Sequence, residues 1–254
     1  MYFLSFVFIW SFDMLSLIQI FISCSKELPV APNCEEDQET ACFRGSFRTL
    51  LGSPVEDMKI CAPEEEDIEC VWSDEEGTWK MPGLPKDKNL FLTAEHPDFV
   101  STIFPQNTSM SWYDWYKVAI PNAIMNSNAN RLDVELQESR GHMLFLVWEG
   151  LNIDGVDTEN VEGVTAHVSI NDDLLFYGDA LGLASTNLTQ TSSSGSGGLL
   201  NIQEEEITLS LISSENEVEC GQDPMFHYIG VGSNTIPIPI RAGFTTAIDV
   251  QCPP

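Results

Sequence analysis

The chain reads as all-β: two antiparallel β-sandwich domains joined by a short helical segment, behind an apolar N-terminal signal. Three observations carry this expectation. Short β-branched, aromatic and aliphatic runs recur about every ten residues with turn formers between them, the rhythm of small sandwiches. One stretch, residues 108–139, breaks that rhythm with crowded aromatics and an Ala- and Asn-rich run. Beyond Cys24 lie six cysteines, an even number, as a disulfide framework needs.

The first 23 residues are almost wholly apolar and end on Cys24, and the chain after them is polar and acidic. Such a run is an export signal or an anchor rather than part of the fold. Phe21-Ile22-Ser23-Cys24 resembles the lipobox of bacterial lipoproteins, an apolar residue and small residues before a cysteine. The resemblance implies that residues 1–23 are a lipoprotein signal peptide and that Cys24 carries lipid. Ser25, a residue other than Asp after that cysteine, implies the outer membrane. Two features depart from the pattern: no Lys or Arg precedes the run, and Asp13 interrupts it. A start at Met14 removes the second and leaves a short, uncharged signal. The alternatives are a plain secreted chain and an uncleaved membrane helix. About 20 apolar residues suffice to span, but Asp13 near mid-bilayer costs a few kcal/mol. Residues 24–43, with Pro29, Pro32, Glu35, Glu36, Asp37 and Glu39, read as an acidic tether.

The 254 residues hold 39 acidic and 11 basic side chains, a net charge of −28. That field repels phosphate backbones, which excludes a nucleic-acid partner, and it attracts cations. With Cys24 assigned to lipid, Cys34, Cys42, Cys61, Cys70, Cys220 and Cys252 remain. Their spacing suggests Cys34–Cys42, Cys61–Cys70 and Cys220–Cys252, one of about fifteen pairings. No C-x-x-C pair exists, which speaks against zinc.

Strands are expected at 47–51, 58–61, 68–72, 78–81 and 90–94, with a hairpin turn at Asp74-Glu75-Glu76-Gly77. The order Gly52-x-Pro54, Val55-x-x-Met58-x-Ile60-Cys61, Ser73-Asp74-x-x-Gly77-Thr78-Trp79, Leu84-Pro85 and Leu92-Thr93-Ala94-Glu95 resembles the carboxypeptidase regulatory-like domain. The resemblance covers residues 44–107 and implies a transthyretin-like, Ig-like sandwich of about seven strands that is itself non-catalytic. His96, Pro97, Asp98 and Phe99 stand where that family has K-x-G-Y.

In 108–139, Trp112, Tyr113, Trp115 and Tyr116 read as a packing plug or, alternatively, as a platform on which a sugar stacks. Val118, Ala119, Ala123, Ile124 and Met125 suggest a helix broken near Pro121 and ended by 126–130. From residue 140 to 254 a second, divergent copy of the sandwich is expected. Its strands fall at 143–148, 164–170, 174–177, 199–202, 207–212, 236–240 and 244–250. The run 191–198 (TSSSGSGG) reads as a flexible loop, and Ala242-Gly243 as the turn of a last strand pair.

No constellation for catalysis is legible. The four histidines occur in neither H-x-x-E nor H-E-x-x-H, and there is no G-x-S-x-G elbow. The expectation is a chain that is not an enzyme. It is an anchored envelope lipoprotein serving structural or adhesive recognition, its partner an envelope protein or a carbohydrate. The alternatives are a secreted carbohydrate-binding module using Trp112, Trp115 and Tyr116, and a secreted hydrolase with an unrecognised site. No cofactor is expected apart from calcium, for which Asn152, Asp154, Asp157 and Glu159 offer oxygens around Gly155. A solvated acidic turn explains the same residues. A calcium titration followed by Tm separates the two: ligation raises Tm, because the ion binds the folded state alone, and a flat titration assigns the turn.

Overall fold

The computed structural model describes residues 40–109, 112–149, 160–170, 174–203, 205–215, 217–222 and 236–252. Cys24, Cys34 and the signal lie outside the described residues, as does the loop of Asn152, Asp154, Asp157 and Glu159. In chain order the described elements are β1 (Thr40–Arg48), β2 (Lys59–Cys61), β3 (Val71–Trp72), β4 (Thr78–Pro85), β5 (Asn89–Glu95), β6 (Thr102–Asn107), β7 (Trp112–Val118) and α1 (Asn122–Arg131). Then come β8 (Gly141–Glu149), β9 (Val164–Val168), β10 (Leu175–Gly178), β11 (Ala184–Ser185), β12 (Ser196–Ile202), β13 (Glu206–Ser213), β14 (Glu219–Gln222), β15 (Ile236–Pro239) and β16 (Thr245–Cys252). The expectation of a mostly β chain with one short helix holds.

Strand β1 sits between β4, antiparallel, and β7, parallel. Strands β6, β5, β2 and β3 follow one another in a second layer. Apolar residues of both layers share one core: Phe43, Phe47, Trp79, Met81 and Leu84 meet Ile60, Leu90, Leu92, Ala94 and Phe104. Phe47 anchors it, 6.3 Å from the Trp79 ring and 6.1 Å from the Phe104 ring. Burying such a side chain contributes about 1.5–3 kcal/mol. The turn at Asp74 forms as expected: its Oδ1 accepts the N–H groups of Glu76 and Thr78, and Gly77 takes φ +72°.

The later strands enclose a second core. Met143, Phe145 and Val147 of β8 and Ile248, Val250 and Cys252 of β16 alternate inward. They meet Val164 and Ala166 of β9, Ile207, Leu209 and Leu211 of β13, and Ile236 and Ile238 of β15. Strand β14 pairs with β13 at Leu211–Cys220 and with β16 at Gly221–Gln251, so it passes from one layer to the other. The Cys220–Cys252 disulfide staples that corner, its Cα atoms 4.2 Å apart. Cys61–Cys70 closes the acidic loop after β2. Both pairings are those the spacing suggested. Cys42 is disulfide-bonded too.

Several expectations are corrected. The pairing is not purely antiparallel: β1–β7, β16–β6 and β16–β8 are parallel, each joining strands far apart in the chain, as a parallel pair requires. Thr40 to Phe43, read as the end of the tether, open β1, and Ala41, Cys42 and Phe43 are buried. Trp112, Trp115 and Tyr116 belong to strand β7, not to a helical connector, because aromatic side chains favour extended backbone. The helix starts only after Pro121, whose missing N–H suits a helix start, and runs through the asparagines meant to end it. Strands β15 and β16 do not pair with each other; the turn at Ala242-Gly243 carries the chain between layers.

The run 191–198 is not a free loop either. Its last three residues open β12, between β10 and β8. A Cβ on Gly197 would lie 2.3 Å from the Phe145 ring and 2.8 Å from the Phe176 carbonyl, so glycine is the residue that lets these strands approach. Gly197→Ala is expected to lower stability by about 1–3 kcal/mol, as overpacking of a tight core does, read as a shifted urea midpoint at unchanged m-value. Replacing Cys220 and Cys252 together by Ala is expected to cost about 2–4 kcal/mol, checked by the same denaturation.

Candidate functional site

The described strands and turns distribute the chemistry-bearing side chains rather than gathering them. His96 Nδ1 accepts the Asp98 N–H at 3.1 Å in the turn after β5, and its ring lies 5.1 Å from Phe99. His167 is exposed on β9. His142, at the start of β8, is 8% exposed, and its Nδ1 accepts the Asn201 N–H at 3.1 Å. Among the described residues no group of three or more His, Cys, Asp or Glu is placed to hold a metal ion.

Of the suggested stacking residues, Trp112 and Trp115 lie in β7, and Tyr116 is 55% exposed beside Ser46 of β1. Tyr116 therefore does not act as a buried plug. Trp72, at the end of the two-residue strand β3, is equally open at 56%. Leu50 and Leu51 stand on the turn after β1, and Leu181 on the turn after β10. The sequence gives little warning of these: Trp72 reads as one more strand aromatic.

A small cavity lies where β6, β7 and β16 meet. Phe104, Gln106, Lys117 and Asp249 line it, and at about 10 Å³ it has room for a single water. Lys117 Nζ pairs with Asp249 Oδ2, both largely shielded, and stands 5.7 Å from the centre of the Phe104 ring. Asp249 falls on the side of the β16 alternation that also carries Gln251, so the sequence does not single out this pair. Its geometry suits cohesion between strands. A substrate does not fit there.

Helix α1 is held by polar contacts to the β10–β11 turn. Asn128 Oδ1 accepts the Ala184 N–H at 3.0 Å, and Arg131 Nη1 donates to Asp179 Oδ2 at 2.8 Å. Asp179 Oδ1 in turn accepts the N–H groups of Leu181 and Leu183. The Leu181 bond above all holds the Asp179 carboxyl below its ordinary range, with Arg131 and Leu183 adding to it.

No family model matches this chain, and no curated protein does. Among solved structures, the minor pilin of Streptococcus agalactiae is 14% identical at a TM-score of 0.26, covering 84% of this chain and 97% of its own. The shaft pilin SpaA of Lactobacillus rhamnosus GG is 9% identical at 0.24, covering 84% and 97%. The Bacillus anthracis TIE protein is 9% identical at 0.26, and the match covers 84% of this chain and 34% of that one. The chain thus spans about a third of the TIE protein's length. Likeness at such scores carries no inference about this chain.

Burial holds His142 down to about 4 from its ordinary value near 6.5. The unfolded chain binds the proton more readily between those values, so His142 favours folding fully above pH 6.5. That contribution is lost as pH falls toward about 4, up to about 3 kcal/mol. The stability of His142→Asn, measured by urea denaturation from pH 7 to 4, is expected to fall less steeply than that of the wild-type chain.

Proposed function

We propose that the chain is an exported, non-catalytic envelope protein that serves structural or adhesive recognition. In this reading Cys24 is the lipidated residue at an outer membrane, the acidic segment before β1 is a spacer, and two carboxypeptidase regulatory-like sandwich modules display the loops. The observation that carries it is the disulfide framework within a strand scaffold. Cys61–Cys70 and Cys220–Cys252 pair across strands and a loop, as bonds formed in an oxidising compartment do. Two of the three apolar clusters support the reading of two modules, one built on β1, β2, β4, β5 and β6 and the other on β8, β9, β10 and β12 to β16. Recognition falls to the turns and edges, where Leu50, Leu51, Trp72 and Leu181 stand open on a rigid frame. The partner is another envelope protein or a carbohydrate.

A second reading, a secreted carbohydrate-binding module, draws on Tyr116, whose ring is open on β7 for stacking with Trp112 and Trp115 as further candidates. The loop of Asn152, Asp154, Asp157 and Glu159 remains the candidate calcium ligand set.

Intact mass of the membrane-extracted protein tests the anchored reading. A chain starting at Cys24 with added acyl mass and six cysteines oxidised is the expected result; a mass retaining residues 1–23 overturns it. Cys24→Ala is expected to move the protein from the membrane to the soluble fraction. Binding to a glycan panel that falls at least tenfold in Tyr116→Ala supports the second reading, and unchanged binding removes it.

A further inference from the structure

The segment between α1 and β8, residues 132–140, is exposed over much of its length. Leu132, Val134 and Leu136 pack on the cluster that includes Phe176 and Leu200, and the Arg140 carbonyl accepts the Gly243 N–H. The stretch from Glu135 to Gln137 is bonded to the strands through the Asn201 side chain. Asn201, in β12, donates through Nδ2 to the Glu135 carbonyl at 2.9 Å and accepts the Gln137 N–H on Oδ1 at 3.0 Å. It does so from a left-handed backbone, φ +53°, which costs a non-glycine residue about 1 kcal/mol and must be held. What holds its backbone is His142, whose Nδ1 accepts the Asn201 N–H.

We propose that His142 is an acid-released latch: its neutral Nδ1 fixes Asn201, Asn201 fixes the stretch from Glu135 to Gln137, and protonation of the ring lets both go. The chemistry is a change of sign at one atom. A neutral imidazole nitrogen accepts a hydrogen bond; protonated, it is a donor facing another donor. The His142 main chain is unaffected, since its N–H donates to the Phe244 carbonyl at 2.9 Å and β8 stays on β16. Release is therefore local.

The charged groups on the elements around the ring are Asp133, Glu135, Glu138 and Arg140 on the segment itself and Arg241 in the turn before β16. Strand β12 carries none, and β8 and β16 carry theirs, Glu149 and Asp249, well along from His142. Burial outweighs them all and favours the neutral ring near neutral pH.

Amide hydrogen exchange by NMR on the whole chain from pH 6 to 3, corrected for intrinsic rates, tests the latch. Protection of the Asn201 and Gln137 amides is expected to hold above pH 5 and to fall about tenfold per pH unit below about 4. The Val147 amide, bonded to the Gly195 carbonyl within the strands, should keep its protection throughout. In His142→Asn, whose side-chain oxygen accepts the same N–H and does not titrate, the Asn201 amide should show no acid step. Three results overturn the proposal: Asn201 and Gln137 protection flat to pH 3, Val147 lost in step with them, or the same acid step in the variant. Should the variant not fold, the wild-type series decides alone.

Discussion

Three strands, β6, β8 and β14, are held to one, β16. β16 runs parallel to β8 over eight residue pairs, Thr245–His142 to Cys252–Glu149, and meets β6 at Thr102 and Ile103 on its other side. Further along, that side pairs with β14, and Cys252 is bonded to Cys220. Asp249, pointing away from the second core, takes Lys117 of β7. The alternation of β16 thus assigns each face a partner: Ile248, Val250 and Cys252 to the interior, Asp249 to the neighbouring strand. A shift of one residue would bury the carboxylate and expose the three apolar side chains, which fixes the register.

Sheet edges are where a β protein is open to unwanted pairing, and this chain blunts them by varied means. Strands β3 and β11 are two residues long. Strand β4 carries Pro82 and Pro85, and β15 carries Pro237 and Pro239. On β9, side-chain hydroxyls take the place of a strand: Thr191 Oγ1 accepts the Val164 N–H, and Tyr177 Oη accepts the Ala166 N–H. Those amides would otherwise be buried donors without a partner, at a cost of about 1–3 kcal/mol each.

How much of this was legible depended on whether period-two patterning survived in the residues. It does in β13, where Ile207, Leu209 and Leu211 alternate with polar side chains, and in β8, and both strands lie close to where the pattern put them. It does not in β7, where aromatics fall on consecutive positions and the later alanines mimic a helical face. Strand β6 hides behind Pro105, tolerated because β16 pairs with β6 only at Thr102 and Ile103. Strand β12 hides behind glycines that read as loop until the rings of Phe145 and Phe176 are in place. The disulfide pairs Cys61–Cys70 and Cys220–Cys252 were legible from spacing. The contacts of Lys117 with Asp249 and of His142 with Asn201 link distant residues, and no local pattern announces them.

The lateness of β16 in the chain has a consequence for biogenesis. Synthesis delivers β6 and β8 long before the strand that joins them, so the edge of each that β16 takes stays open while the remainder is made. Closing the sheet then waits on one late insertion event, and until it comes those two edges stand open to strands of other chains.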